Sequence, residues 1–200
     1  PWVLRQRIVP DASAYFFGTR VVLLSDQILI GSPKEQVGGI GAAGTIRTCT
    51  RTYPYQCVGR IEPVAPKYVG AFGEIFDAES SRLFVGAPRA NGPVGQEVGS
   101  VFEYQRTGSA WTYTRAYLPA APQAESFGSS VSFSGGLLAV GSPRWDRSPN
   151  DDCGRVSVFS MPGAGAGQQI ASIVSPHESC AAPGAGFRGG FGADVAVADD

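Results

Sequence analysis

Histidine is almost missing from this chain of 200 residues: there is one, His177. A Ser/His/Asp relay or a histidine-rich metal site has nothing to be built from. None of the four cysteines sits in a C-x-x-C pair, which removes the usual zinc arrangements as well. Charged residues are scarce at 16%, and the net charge is -1. A dedicated nucleic-acid binder would need a basic face and a positive balance, so that class is excluded. No apolar run approaches the ~20 residues of a membrane helix. The longest, such as Val21-Val22-Leu23-Leu24, are strand-sized, so this segment is expected not to insert into a membrane. No signal peptide or initiating Met is seen, as expected of a mature or excised segment.

Glycine (27) and proline (15) are abundant, above a fifth of the chain together, and spread along its length. That suits many short strands joined by tight turns. With 43% apolar residues the chain can bury a core.

A repeat organises it. Phe-Gly occurs at Phe17-Gly18, Phe72-Gly73, Phe127-Gly128 and Phe191-Gly192, at intervals of 55, 55 and 64 residues. Fourteen residues after each of the first three Phe comes Gly-[Ser/Ala]-Pro: Gly31-Ser32-Pro33, Gly86-Ala87-Pro88 and Gly141-Ser142-Pro143. Eleven residues beyond each Pro stands a Gly (Gly44, Gly99, Gly154), and two further a β-branched residue (Ile46, Val101, Val156). A second register agrees: Trp2 and Trp111 each stand eight residues before a Pro, Pro10 and Pro119. A repeated unit of this length means one supersecondary module that stacks on its neighbours. Each unit reads as four strands. The first follows Phe-Gly, the second ends at Gly-x-Pro, the third follows the later Gly, and the fourth carries the Trp-to-Pro stretch. The first two are apolar enough to be covered on both faces, whereas the last two alternate with polar residues.

These motifs resemble the FG-GAP repeat, and nearly the whole chain is similar to the β-propeller of integrin α subunits and related extracellular proteins. The resemblance implies an all-β, incomplete propeller of about three four-stranded antiparallel blades. Residues 1–13 would be the last strand of a preceding blade, 14–65, 66–123 and 124–188 the three blades, and 189–200 the first strand of the next. It also implies an extracellular glycoprotein of cell-adhesion type. A full propeller of this family has seven blades, so the open edges would be covered by remaining blades or another chain. Such propellers bind Ca²⁺ between the first and second strands of a blade. Here those connections (Ser25-Asp26-Gln27, Ala78-Glu79-Ser80-Ser81, Ser134-Gly135-Gly136) are too short and too poor in carboxylates. The three blades are therefore expected to hold no Ca²⁺ and no other cofactor. Asp199-Asp200 could open such a loop in a following blade.

Four cysteines allow three pairings. Proximity pairs Cys49 with Cys57 and Cys153 with Cys180, and Cys49/Cys57 looks like the disulfide-closed hairpin of an early integrin-type blade. Disulfides would place the protein in an oxidising compartment, and free thiols in a cytosolic protein are the alternative.

The residue after each Gly-x-Pro is basic: Lys34, Arg89, Arg144. Superposed repeats would set them as an arc on the face with the long loops, where the family binds partners, as a rim for an acidic protein or glycan. Alternatively each pairs locally. The loop Arg144-Trp145-Asp146-Arg147 adds an aromatic suited to an interface, or one that folds back on the blade. The carboxylates Asp26, Asp77, Asp146, Asp151, Asp152, Asp194 and Glu178 show no repeated spacing for an acid/base pair. The expected function is a non-catalytic, partner-binding adhesion module. A structural block of an extracellular polymer and a propeller hydrolase are the alternatives.

Overall fold

The computed structural model describes residues 2–10, 15–65, 70–90, 98–120, 125–147, 152–176 and 190–198. Cys180, His177, Asp151, Glu178 and Asp199-Asp200 lie outside them. Among the described residues there is no helix. Twelve strands form three four-stranded antiparallel sheets, none closed into a barrel, each with neighbours in chain order. By chain contacts there are two compact units, Pro1–Glu74 and Ile75–Asp200.

The first unit holds one sheet: β1 (Val21–Leu23), β2 (Gln27–Ser32), β3 (Thr45–Thr50) and β4 (Cys57–Ile61). The all-apolar stretch of β2 is wholly buried, as a strand covered on both faces should be. β1 departs from that expectation: Val21 and Leu23 are exposed, because no second sheet within this unit covers them. Residues 2–10 form no ladder. They are held instead through Gln6, whose side chain donates to the Tyr55 carbonyl (2.8 Å) and accepts from the Tyr55 N–H (3.0 Å).

The second unit holds β5 (Ile75–Glu79), β6 (Arg82–Ala87), β7 (Ser100–Thr107) and β8 (Ala110–Tyr117) in one sheet. The other contains β9 (Ser130–Ser134), β10 (Leu137–Ser142), β11 (Arg155–Ser160) and β12 (Gln168–Val174). Between the two sheets lies the core of Phe84, Val101, Tyr117, Phe127, Phe133, Leu138 and Phe159 with their neighbours. The first strands adjoin: the Asp77 carboxylate accepts the Phe133 N–H (2.8 Å), and Glu79 accepts that of Gly135 (3.2 Å). Arg82 joins the sheets at depth. It pairs with Glu103 on β7 (2.8 Å) and donates to the carbonyls of Met161 and Gly163 in the β11–β12 turn (3.2 and 2.7 Å).

The repeat offsets have a steric cause. Gly44, Gly99 and Gly154 all have φ between +82° and +86°. A Cβ on each would stand 2.1–2.2 Å from the carbonyl oxygen of the next repeat's Phe (Phe72, Phe127, Phe191). Only glycine permits both the conformation and the approach. The pairing of third and fourth strands also shifts at one repeat position, at Thr48/Cys49, Glu103/Tyr104 and Val158/Phe159. A bulge there bends each outer strand alike.

Candidate functional site

The corner that ends each second strand is the same β-turn three times. Ser32, Ala87 and Ser142 accept from the N–H three residues on, at Glu35, Ala90 and Trp145 (3.1, 3.0 and 3.1 Å). Proline takes the second turn position, where its fixed φ is already right, and the basic residue takes the third. The carbonyls of Glu35, Ala90 and Trp145 then receive the N–H of Gly44, Gly99 and Gly154 (2.9, 3.1 and 2.9 Å). The cation is thus carried on a short, doubly tied corner. Lys34, Arg89 and Arg144 are all exposed, and among the described residues their side chains have no hydrogen-bond or ion-pair partner.

Within the second unit two of these corners meet. Arg89 and Arg144, with Pro88 and Pro143 beside them, line one cleft of about 390 Å³ whose remaining walls are Ser126 and Ser129. The two serines bracket the third Phe-Gly, in a turn closed from the Ser129 N–H to the Ser126 carbonyl (3.2 Å). Ser129 Oγ donates to the same carbonyl (2.8 Å). Lys34 belongs to the first unit, on the equivalent corner of that unit's own sheet.

Trp145 and Asp146 have local partners. The Trp145 ring lies over the Arg155 guanidinium, with the cation carbon 5.2 Å from the ring centroid, so the half-buried indole folds back on its own sheet. Asp146 accepts the Asp152 N–H (2.7 Å), which ties the loop across its base.

Each sheet also carries or abuts a fully buried glutamate with arginine partners, a feature that the repeat pattern does not reveal. Glu35 accepts from Thr45 Oγ1 (2.6 Å), Arg47 (2.6 Å) and Arg60 (3.2 Å). Glu103 takes Arg82, Arg115 and the Tyr117 hydroxyl, the last at 2.8 Å. Glu125 receives Arg155 at both oxygens (2.8 and 2.7 Å). Burial pushes the Glu125 carboxyl up to about 7, against the lowering pull of Arg155. Burial likewise raises the Tyr117 phenol, with Glu103 adding to the effect. Glu125 stands beside the cleft, its carbonyl accepting the Arg144 N–H (3.3 Å). These glutamates occupy different repeat positions, so superposing the repeats hides them. A glutamate next to an invariable corner, as Glu35 is, was the one available signal.

Cys49 and Cys57 form a disulfide across β3 and β4. Cys153 is buried, and its expected partner Cys180 lies outside the described residues. Among the described residues no three His, Cys, Asp or Glu side chains gather as a metal-ligand set. Compared with family models and with curated proteins, the chain has no match.

Proposed function

We propose that this chain is a partner-binding module of FG-GAP propeller type, working outside the cell and without catalysis. Its blade corners present cations to an acidic ligand. The observation that carries the reading is the corner built three times, with an exposed Lys34, Arg89 or Arg144 at its third position each time, none of which has a side-chain partner among the described residues. The local-pairing alternative would require a carboxylate at each corner. Among the described residues, the glutamates beside two of the corners are committed: Glu35 to Arg47 and Arg60, and Glu125 to Arg155. The propeller reading is supported by the Gly–Phe junction, a close main-chain approach that recurs at Gly44–Phe72, Gly99–Phe127 and Gly154–Phe191. The Cys49–Cys57 disulfide supports an oxidising compartment.

Surface-plasmon kinetics of the full chain against a panel of acidic and neutral proteins and glycans tests this. Acidic ligands should associate faster at low salt, and K34A/R89A/R144A should slow association and flatten that dependence. A panel with no salt-sensitive binder would end the reading.

A second reading, a building block of a larger assembly, is favoured by β12. All seven of its residues are exposed, Ile170, Ile173 and Val174 among them, and no charge guards this edge. Such an edge is a template for another strand. Sedimentation of wild type and I173K separates the readings: an assembly through β12 would be abolished by the lysine, while a solely ligand-binding chain would sediment alike in both forms.

A further inference from the structure

Two guanidiniums on one cleft repel each other, and a folded protein normally offsets that with a carboxylate. Among the described residues the cleft between the second and third repeats has none on its walls: Arg89, Arg144, Ser126, Ser129, Pro88 and Pro143 line it. The two carboxylates nearest in the chain are engaged elsewhere. Glu125 is turned to Arg155, held bidentately, and Asp146 is turned to the Asp152 N–H. Other arginines of the same unit are spent on structure: Arg82 and Arg115 on Glu103, and Arg155 on Glu125. Arg89 and Arg144 differ in being exposed on tied corners, with no side-chain partner among the described residues. Ser126 and Ser129 are held between them, and the Ser126 hydroxyl has no hydrogen bond among the described residues.

We infer that this cleft receives two neighbouring carboxylates of an acidic peptide segment on a partner protein, one at each arginine. The inference rests on the partner-binding reading above and names its ligand. Guanidinium forks match planar carboxylates bidentately, and each such pair is charge-assisted. A single small anion would not fill about 390 Å³, since one water takes up roughly 30 Å³. A segment with two acidic side chains would, with its methylenes against Pro88 and Pro143. A sugar chain is the less suited occupant: among the described residues no aromatic ring lines the cleft, and Trp145 is laid over Arg155 instead.

The test is fluorescence anisotropy of a labelled hexaglutamate peptide with the full chain, beside a neutral hexapeptide and a heparin hexasaccharide. Hexaglutamate should bind with salt-sensitive affinity, and R89A and R144A should each weaken it about tenfold. R89K/R144K should also weaken it several-fold, because an ammonium keeps the charge and loses the fork. Arg20→Ala, an exposed cation of the first unit that is not among the residues lining the cleft, should bind as wild type, and all variants should melt alike. Unchanged peptide binding in R89A/R144A, or full binding by the lysine pair, would overturn the inference. So would heparin binding more tightly than the peptide with a loss in R89A/R144A, which would give the cleft to a glycan. If acidic ligands of the wider panel bind through Lys34 while R89A/R144A changes nothing, the cleft inference falls alone. If no acidic ligand binds, both fall.

Discussion

Gly99 lies flat against the backbone of Phe127: a Cβ at Gly99 would stand 2.2 Å from the Phe127 carbonyl oxygen and 2.4 Å from its nitrogen. The two residues form a parallel bridge, and the Phe127 N–H donates to Val98 (3.1 Å). The repeat-to-repeat joint is therefore a contact of main chain with main chain, beneath the buried Phe127 ring.

Gly99→Ala should destabilise the second unit by about 3 kcal/mol, since backbone cannot yield as a side-chain tip does. Gly108→Ala is the control, with φ of +63° and nothing within 4 Å of its Cβ. It should cost about 1 kcal/mol, the conformational part alone. Urea unfolding of both variants separates the clash from the φ penalty. Equal losses would mean that the close approach contributes nothing.

Arg82 ties two sheets at once, and replacing it with Ala would leave Glu103 short of one cation and strip three carbonyls of the β11–β12 turn, those of Met161, Gly163 and Gly165. The expected loss is about 3 kcal/mol. Hydrogen exchange should quicken at Gly167, whose N–H is held by the Tyr117 hydroxyl (3.1 Å) in the same network. Unchanged protection there would place the stability of this turn elsewhere.

Glu125 makes stability depend on pH. Its folded pKa of about 7 is raised above the ordinary 4.5, so the folded state binds the proton more tightly than the unfolded chain. Its contribution is complete below about 4.5 and is lost as pH rises through about 7. Wild type should therefore lose melting temperature relative to E125Q across that window, Gln standing in for the neutral acid. Parallel curves for the two proteins would show that Glu125 does not titrate there.

The Cys49–Cys57 bridge closes a short hairpin, eight residues apart in sequence. In the chain-entropy picture a loop of that size is worth about 2–3 kcal/mol. C49A/C57A should melt lower by that amount, and reductant should lower wild type toward the double variant. A melt that reductant leaves unmoved would show the bond to be open in solution.

Much of the architecture was legible in the residues because it rests on local rules. Phe-Gly, Gly-x-Pro and the later Gly mark turn conformations that few other residues adopt, so their spacing alone determined four strands per repeat and the identical basic corners. Wholly buried β2 and β6 were legible in the same way, from strands apolar on both faces. Tertiary structure alone decided three other things. It laid Trp145 over Arg155, though the same loop could equally have offered the indole to solvent. Among the described acidic residues it chose Glu35, Glu103 and Glu125 for full burial, where arginine partners arrive to offset the lost hydration. And it brought Arg89 and Arg144, 55 positions apart, onto one cleft. Local sequence determines a turn through the few dihedral angles it needs. A charge's partner depends on which distant strand packs beside it, and that is settled only when the sheets meet.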